Sequence, residues 1–189
     1  MSYVFIGGIP ASGKSYLAKK VAEKTGAFHL DVDTLRKEMS KDPQLKYWVN
    51  FFFNQDEEEY LKNTPCEKHW ENLVKQSEAF WPTILNKINE VIKSHKSAIF
   101  EGVNILPHLA KRDFNFPGVY LLGKSFEEIF ERNKQDPRWG QTEQLQKLEA
   151  ELFFNCERPK YKEEAEKYGY KIFDKSDEAE EEVLKLLGL

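Results

Sequence analysis

Cysteine is scarce in this chain: there are two, Cys66 and Cys156, far apart and in no C-x-x-C pair. They build neither a disulfide framework nor a zinc site, so both are expected to be buried or half-buried free thiols. Positive charge is not in excess either. Lys and Arg number 28 against 32 Asp and Glu, for a net charge of −4 and a pI near 5.7. The broad basic footprint of a general nucleic-acid binder is therefore missing, which leaves room only for a local patch. No apolar run approaches the roughly 20 residues that span a bilayer, so no membrane role is expected. The chain enters an apolar stretch at once, with no basic leader or cleavage signal, and the expected location is the cytoplasm. Its four histidines, His29, His69, His95 and His108, show no metal-ligand spacing and are assigned no role. Only His108, which follows Pro107, falls near the expected active edge. Internal repeats and low-complexity linkers are absent. What remains is one domain over residues 1–189, long enough to bury a real core.

The stretch that organises the chain is its start. Tyr3 to Ile6 is an apolar run that predicts a buried strand, and Tyr16 to Lys24 predicts a helix. Between them Gly8-Ile9-Pro10-Ala11-Ser12-Gly13-Lys14-Ser15 fits G-x-x-x-x-G-K-[ST], the P-loop, in the order that motif requires. Gly8 and Gly13 let the backbone turn tightly and approach phosphate. The N–H groups of Ala11, Ser12, Gly13, Lys14, Ser15 and Tyr16 would then face the anion at a helix N-terminus. Lys14 would reach the β- and γ-phosphates, and the Ser15 hydroxyl would bind Mg²⁺. The expected ligands are ATP and Mg²⁺.

Further along, Ala27–Leu30 predicts a second strand running into Asp31-Val32-Asp33-Thr34-Leu35-Arg36, with helix from Leu35 to about Met39. Residues 42–64 crowd aromatics (Tyr47, Trp48, Phe51, Phe52, Phe53, Tyr60) beside an acidic run. They suit helices and loops of an insert. Apolar residues at helical spacing from Cys66 to Ser94 predict one long or broken helix, with Pro82 as a kink or a new start. Ser97–Gly102 and Val119–Leu122 predict the third and fourth strands. Ser125 should cap a helix to about Lys134, with Glu128 as its capping-box partner. Asp136-Pro137-Arg138-Trp139-Gly140 breaks that helix. Gln144 to about Tyr168 is helical again, with an interruption near Pro159, and Gly169 closes it. Tyr170–Phe173 predicts the last strand. Asp177 caps a final helix whose acidic face is expected to be solvated. Strands alternating with helices predict an α/β three-layer fold, a parallel sheet of about five strands covered on both faces. Ligands gather at the carboxyl ends of such strands, where Gly8, Asp31, Asp33 and Glu101 converge.

Three P-loop classes compete. Asn133-Lys134-Gln135-Asp136 matches the N-K-x-D guanine pattern, but it ends an amphipathic stretch instead of following a buried strand, and no D-x-x-G precedes it. A motor ATPase would need an apolar strand ending in Asp-Glu, which Ile99-Phe100-Glu101-Gly102 matches poorly. Phosphoryl transfer to a hydroxyl needs a carboxylate to take the proton and cations to neutralise spreading charge. Asp33 fits the first need. Arg36 fits the second, and could also grip an acidic group on the acceptor.

At Asp33-x-x-Arg36 the sequence resembles the P-loop kinase superfamily that includes polynucleotide kinase, the zeta-toxin-like kinases and chloramphenicol phosphotransferase. Gln76-Ser77-Glu78-Ala79, and then Ile99-Phe100-Glu101-Gly102-Val103-Asn104-Ile105-Leu106-Pro107, extend the likeness toward the 2-phosphoglycerate kinase group. The resemblance implies an ATP-dependent kinase with Asp33 as catalytic base. It implies 40–95 as a helical acceptor-binding insert and about 132–145 as a lid. Lys14, Arg132 and Arg138 would hold the transferring charge, either lid arginine serving in the transition state. Ser15, Asp31 and Glu101 would serve Mg²⁺, although Asp31 and Glu101 also suit structural hydrogen bonds, and Glu101 could instead contact the acceptor. In related kinases a residue near Arg158 or Tyr161 approaches the nucleotide base. Trp139 is either a lid anchor or core. The aromatics at 47–60 line an acceptor pocket, stack a base or form the insert's own core. The expected partner is a small-molecule acceptor, phosphorylated types such as phosphoglycerate included. Nucleic acid enters only as a 5′-hydroxyl substrate, and no obligate protein partner is expected. A nucleoside, nucleotide or polynucleotide 5′-kinase is the alternative within the class. A nucleotide-binding regulatory module is the alternative outside it.

Overall fold

The computed structural model describes residues 2–189. Strand β1 (Ser2–Gly7) leads through the glycine loop into helix α1 (Lys14–Thr25), which Gly26 ends with φ 71° and an N–H bonded to the Ala22 carbonyl. β2 (Phe28–Asp31) passes into a 3₁₀ turn at Val32–Leu35 and a short α2 (Arg36–Met39). Aspartates then start two small helices. Asp42 accepts from Gln44 N at the head of α3 (Pro43–Asn50), and Asp56 from Glu59 N at the head of α4 (Glu57–Asn63). α5 (Cys66–Ser94) is one unbroken rod of 29 residues. Pro82 lies inside it without ending it, because Phe80, Trp81 and Ile84 beside it are buried and packing outweighs the lost hydrogen bond.

After β3 (Ser97–Glu101) a helix appears that the sequence pattern did not signal, α6 (Pro107–Asp113), started by its proline. β4 (Gly118–Leu121) precedes α7 (Phe126–Gln135), where Ser125 accepts from Glu128 N as expected. α8 (Glu143–Glu151) runs through a π turn at Leu152–Glu157 into α9 (Arg158–Lys167), the interruption anticipated near Pro159. β5 (Lys171–Phe173) and α10 (Ser176–Leu186) complete the chain. The strands are all parallel in the order β2-β3-β1-β4-β5.

Side chains alternate across β1. Val4 and Ile6 join Leu17, Val21 and Val183 under α1 and α10, while Phe5 joins Phe80, Ile84 and Ile88 under α5 on the other face. Both faces of the sheet are thereby dry, which a parallel sheet requires. Among the described residues no helix is long and apolar enough to cross a membrane.

Three sequence expectations need correction. Lys175, not Asp177, stands at the cap of α10. The acidic face of α10 is not wholly solvated: Glu180 is 8% exposed and pairs with Lys20 at 2.6 Å and with Lys24, and Glu182 pairs with Lys171 at 2.7 Å. The cysteines are not free. Cys66, at the head of α5, and Cys156, in the π turn, form a disulfide with Cα atoms 5.1 Å apart. Their separation in sequence hid the pairing, because only the packing of the π turn against α5 brings them together. The cross-link closes a loop of 90 residues. Reduction, or Cys156→Ser, is expected to lower unfolding free energy by about 2–4 kcal/mol in a denaturant titration.

Candidate functional site

The glycine loop takes the backbone form that phosphate binding demands. Gly8 has φ 132°, and a Cβ there would collide with the Leu121 carbonyl of β4. Gly13 has φ 98°, and Ala11 adopts φ 56°, the single positive-φ non-glycine among the described residues. Lys14 is 3% exposed and donates from Nζ to the Ile9 carbonyl at 2.6 Å. Burial lowers its pKa, while the carboxylates of Glu101 and Asp33 pull it back up. Arg132 of α7 lies across the loop, donating to the Ser12 carbonyl at 2.9 Å and pairing with Glu128 at 2.5 Å. That ion pair occupies the Glu128 carboxylate assigned to the capping box. Ala11, Gly13, Lys14, Ser15, Tyr16, Arg132, Asp136 and Arg138 line a cavity of about 130 Å³. Gly8 and Ser12 stand beneath it in the loop.

The acidic residues converge as the sheet topology predicts. Asp31 lies opposite Glu101 in the β2–β3 register. Its Oδ1 accepts from Asp33 N at 2.9 Å, so it structures the turn. Burial, and then Glu101 and Asp33, push its carboxyl up to about 6. Glu101 is 1% exposed, its Oε1 without a hydrogen-bond partner and 3.5 Å from His29 Nε2. Asp33 accepts from Val103 N through Oδ2 at 3.2 Å, and its Oδ1 is buried with no partner. Among the described residues no three His, Cys, Asp or Glu side chains sit close enough to cage a metal. Mg²⁺ takes one or two protein oxygens and draws the rest from phosphate and water. The Ser15 hydroxyl and the orphaned Glu101 carboxylate, beside a phosphate-shaped loop, fit that demand.

A second cavity, of about 270 Å³, adjoins the first. Asp33 and Arg36 line it together with Phe52, Phe53, Leu73, Trp139 and Phe153, and Arg138 lines both cavities. Arg36 donates from Nη2 to Asn104 Oδ1 at 2.8 Å and lies 5.5 Å over the Phe80 ring, with Nε buried and unpartnered. Asn104 is fixed in turn by Ser77 at 2.8 Å and Gln76 at 3.4 Å, which explains why Gln76-Ser77 accompanies the motif. The aromatic insert divides between two of its possible uses. Phe52 and Phe53 face the cavity, whereas Tyr47, Trp48 and Phe51 pack edge to face or tilted on one another. Trp139 packs on Phe52 and Tyr60, with ring centroids 6.3 and 5.9 Å apart, so it joins the segment after α7 to the insert.

That segment is anchored at Gly140. Its N–H donates to Glu149 Oε1, and a Cβ there would collide with Glu57 Oε1. Asn133 donates to Glu149 Oε2 at 2.8 Å and to the Gln146 carbonyl at 3.0 Å. The first residue of the guanine-like tetrapeptide is thus a structural anchor. Of the two residues weighed for the base, Tyr161 is fully buried and gives its hydroxyl to the Val103 carbonyl beside Asp33, away from that role. Arg158 pairs with Asp174 at 2.7 Å beyond β5. His108 meets Glu164 at 3.1 Å, tying α6 to α9. Sequence reasoning missed Glu149, Glu157 and His69, all buried and all on this second cavity. The four-residue spacing of Glu149, Phe153, Glu157 and Tyr161 was the signal available, since it sets them along one side of a helix.

Comparison with known proteins agrees with this geometry. The family profile described as "AAA domain" matches residues 4–99, just over half of the chain. No curated protein sequence matches. The solved shikimate kinase of Acinetobacter baumannii in complex with shikimate has a TM-score of 0.53 at 16% identity, over 98% of this chain and 92% of that one. TT1252 from Thermus thermophilus gives 0.53 at 16% identity, over 97% and 94%. The deoxyadenosine kinase of M. mycoides with bound dATP gives 0.50 at 14% identity, over 99% and 100%. These likenesses establish the P-loop kinase fold.

The contact between α4 and the segment after α7 should depend on pH. Burial, and then the Glu149 carboxyl, push Glu57 up to about 7. A carboxyl raised above its unfolded value stabilises the folded state when protonated, so this contribution is full below about 4.5 and is lost as pH rises through about 7. The protection of the Gly140 amide, measured by how much slower it exchanges than in an unfolded peptide at the same pH, is expected to fall over that window, and Glu57→Gln to flatten the dependence.

Proposed function

The chain belongs to the AAA domain family, and from that premise we propose that it is an ATP-dependent phosphotransferase acting on a hydroxyl of a small-molecule acceptor. One observation carries the proposal. A phosphate-binding cavity and an aromatic-walled cavity adjoin, Arg138 lines both, and Asp33 stands in the second with one oxygen free. That is the arrangement an in-line transfer between two bound partners needs.

Bound Mg²⁺-ATP would supply the transferable γ-phosphoryl group and neutralise part of its charge. The chain's own residues do the remainder. Backbone N–H groups of Gly8 and of Ala11 to Tyr16 would bind the phosphates, Lys14 would reach their outer oxygens, and the Ser15 hydroxyl, backed by Glu101 and Asp31, would hold the ion. Asp33 Oδ1 orients the acceptor hydroxyl and takes its proton as the oxygen attacks. Val103 N holds the other oxygen of Asp33, which fixes the carboxylate's direction. Arg138 and Arg132 stabilise the negative charge that spreads over the group in flight. Trp139, Phe52 and Phe53 exclude water, which would otherwise compete as acceptor. On this reading residues 40–95 bind the acceptor and about 132–145 close over it. The unpaired guanidinium nitrogen of Arg36 supports an acceptor bearing an acidic group, such as a phosphorylated hydroxy acid. The aromatic walls support a second reading, a nucleoside, nucleotide or 5′-hydroxyl nucleic-acid end.

ADP release from Mg-ATP across phosphoglycerates, nucleosides, nucleotides, 5′-hydroxyl oligonucleotides and aminoglycoside-type alcohols tests the proposal. At least one acceptor is expected to raise turnover. Asp33→Asn should then lower acceptor-dependent kcat by about 100-fold or more with ATP binding intact. Arg138→Ala should lower it by about 100-fold. Slow hydrolysis indifferent to every acceptor and to Asp33→Asn would instead point to a nucleotide-binding regulatory module.

A further inference from the structure

The acceptor cavity holds a charged group that phosphoryl transfer itself does not require. Glu157 is 3% exposed and lines the cavity with Asp33 and Arg36. Its Oε1 meets His69 Nε2 at 2.8 Å, while its Oε2 is buried without a partner.

The direction of the hydrogen bonds behind it follows from counting protons. Asn72 Nδ2 can only donate, and it does so to the Tyr60 oxygen at 3.2 Å. The phenol's single hydrogen is then available for His69 Nδ1 at 3.1 Å. With Nδ1 accepting from the phenol, Nε2–H is the donor to Glu157. Asn72, Tyr60 and His69 are 7%, 8% and 3% exposed, so the whole chain is shielded and its polarity runs toward one carboxylate. Among the described residues no Lys or Arg pairs with Glu157. A buried carboxylate held in place on one oxygen and unsatisfied on the other is a poor device for stability and a good one for recognition.

We infer that Glu157 is a specificity-determining residue whose Oε2 accepts a hydrogen bond from a second hydroxyl or amino group of the acceptor, distinct from the hydroxyl that meets Asp33. This rests on the phosphotransferase reading and, against the acidic acceptor that Arg36 alone would admit, narrows it to a neutral or cationic polyol or amino alcohol, with a flat or apolar face against the aromatic rings. A carboxylate or phosphate at that point would meet a fixed, water-shielded negative charge. An acceptor lacking the donor would leave Glu157 unpaired, the situation in which sites discriminate most strongly.

The test pairs binding with turnover. Adenosine beside its 2′- and 3′-deoxy forms, and glucose and glucosamine beside the 2-, 3- and 4-deoxyglucoses, are titrated calorimetrically into the wild-type protein. 2-Phosphoglycerate is the anionic arm. The same compounds are run for ADP release with Mg-ATP. Within one series, loss of one particular hydroxyl is expected to weaken binding by about 100-fold or more, and which series responds distinguishes nucleoside from sugar. Glu157→Gln turns an NH₂ toward the ligand and should bring that discrimination within about fivefold, raising the acceptor KM while the ATP KM stays unchanged. His69→Gln, which keeps a donor toward Glu157, should retain most of the preference. Discrimination that survives Glu157→Gln overturns the assignment. Binding of 2-phosphoglycerate in preference to every neutral compound overturns the substrate class. Selective binding without ADP release supports the subsite and overturns the phosphotransferase reading. ADP release with no dependence on a single hydroxyl does the reverse. Binding by neither series overturns the subsite. The deoxy series on the wild-type protein decides the matter even where a variant fails to fold.

Discussion

Everything in this molecule depends on β1 being dry on both faces. Val4, Phe5 and Ile6 are fully buried, and the strand is paired on each edge, with β3 on one side and β4 on the other. Burial on four sides leaves the chain one direction in which to continue, out of the carboxyl end of the sheet. The turn there is crowded against the Leu121 carbonyl, so it must be made by glycine. The same constraint brings Asp31 and Glu101 to that edge, because the strands that carry them are held in register with β1 and with each other. Hydrophobic burial, not the charges, therefore determines where the charges meet.

Once gathered, those charges are managed unevenly. Lys14 and the surrounding carboxylates compensate one another, and α10 is stapled to α1 by Glu180 between two lysines. Oxygens of Asp33, Glu101 and Glu157 are left without partners in a water-poor setting. Unsatisfied buried acceptors are rare in folded proteins and destabilise them. Asp33 and Glu157 both bring such an oxygen to the aromatic-walled cavity, and Arg36 brings an unpartnered nitrogen to it. Residues 52–60 and the segment after α7 belong to one assembly, since Trp139 packs on Phe52 and Tyr60 and Glu57 meets Glu149 at Gly140.

The fold was largely legible because its signals are local. An apolar run followed by G-x-x-x-x-G-K-S needs no partner to be recognised, and Asp33 and Arg36 could be placed from their distance to the second strand. What escaped detection depends on long-range packing. Nothing around Cys156 announces Cys66, and nothing around His69 announces Glu157, which lies 88 residues away. Glu180 resembled the solvated acids beside it because its partners lie on α1. The guanine-like tetrapeptide closes α7, and its asparagine ties that helix to α8 through Gln146 and Glu149. Local chemistry sufficed for the glycine loop, whose Gly8 and Gly13 take the positive φ the motif calls for. The aromatic-walled cavity, assembled from α2, α5, residues 42–64 and the π turn, was readable only in outline.

The π turn between α8 and α9 acts on the chain as a reading frame acts on a message. A helix advances about 100° per residue, so one extra residue within a turn shifts the phase of everything after it. Upstream of the turn, Glu149 meets Asn133 and Gly140. Within it and beyond, Glu157 meets His69 and Tyr161 the Val103 carbonyl, while Arg158 turns to Asp174 past the last strand. Deleting a single residue between 152 and 157 would cost the backbone little, since a regular α-helix could form in its place. It would nevertheless rotate every later side chain to a different neighbour, and a helix of normal appearance would carry a scrambled message. The irregular turn is thus a place where this chain resists drift in length, and Cys156 and Glu157 within it are fixed by their partners as well.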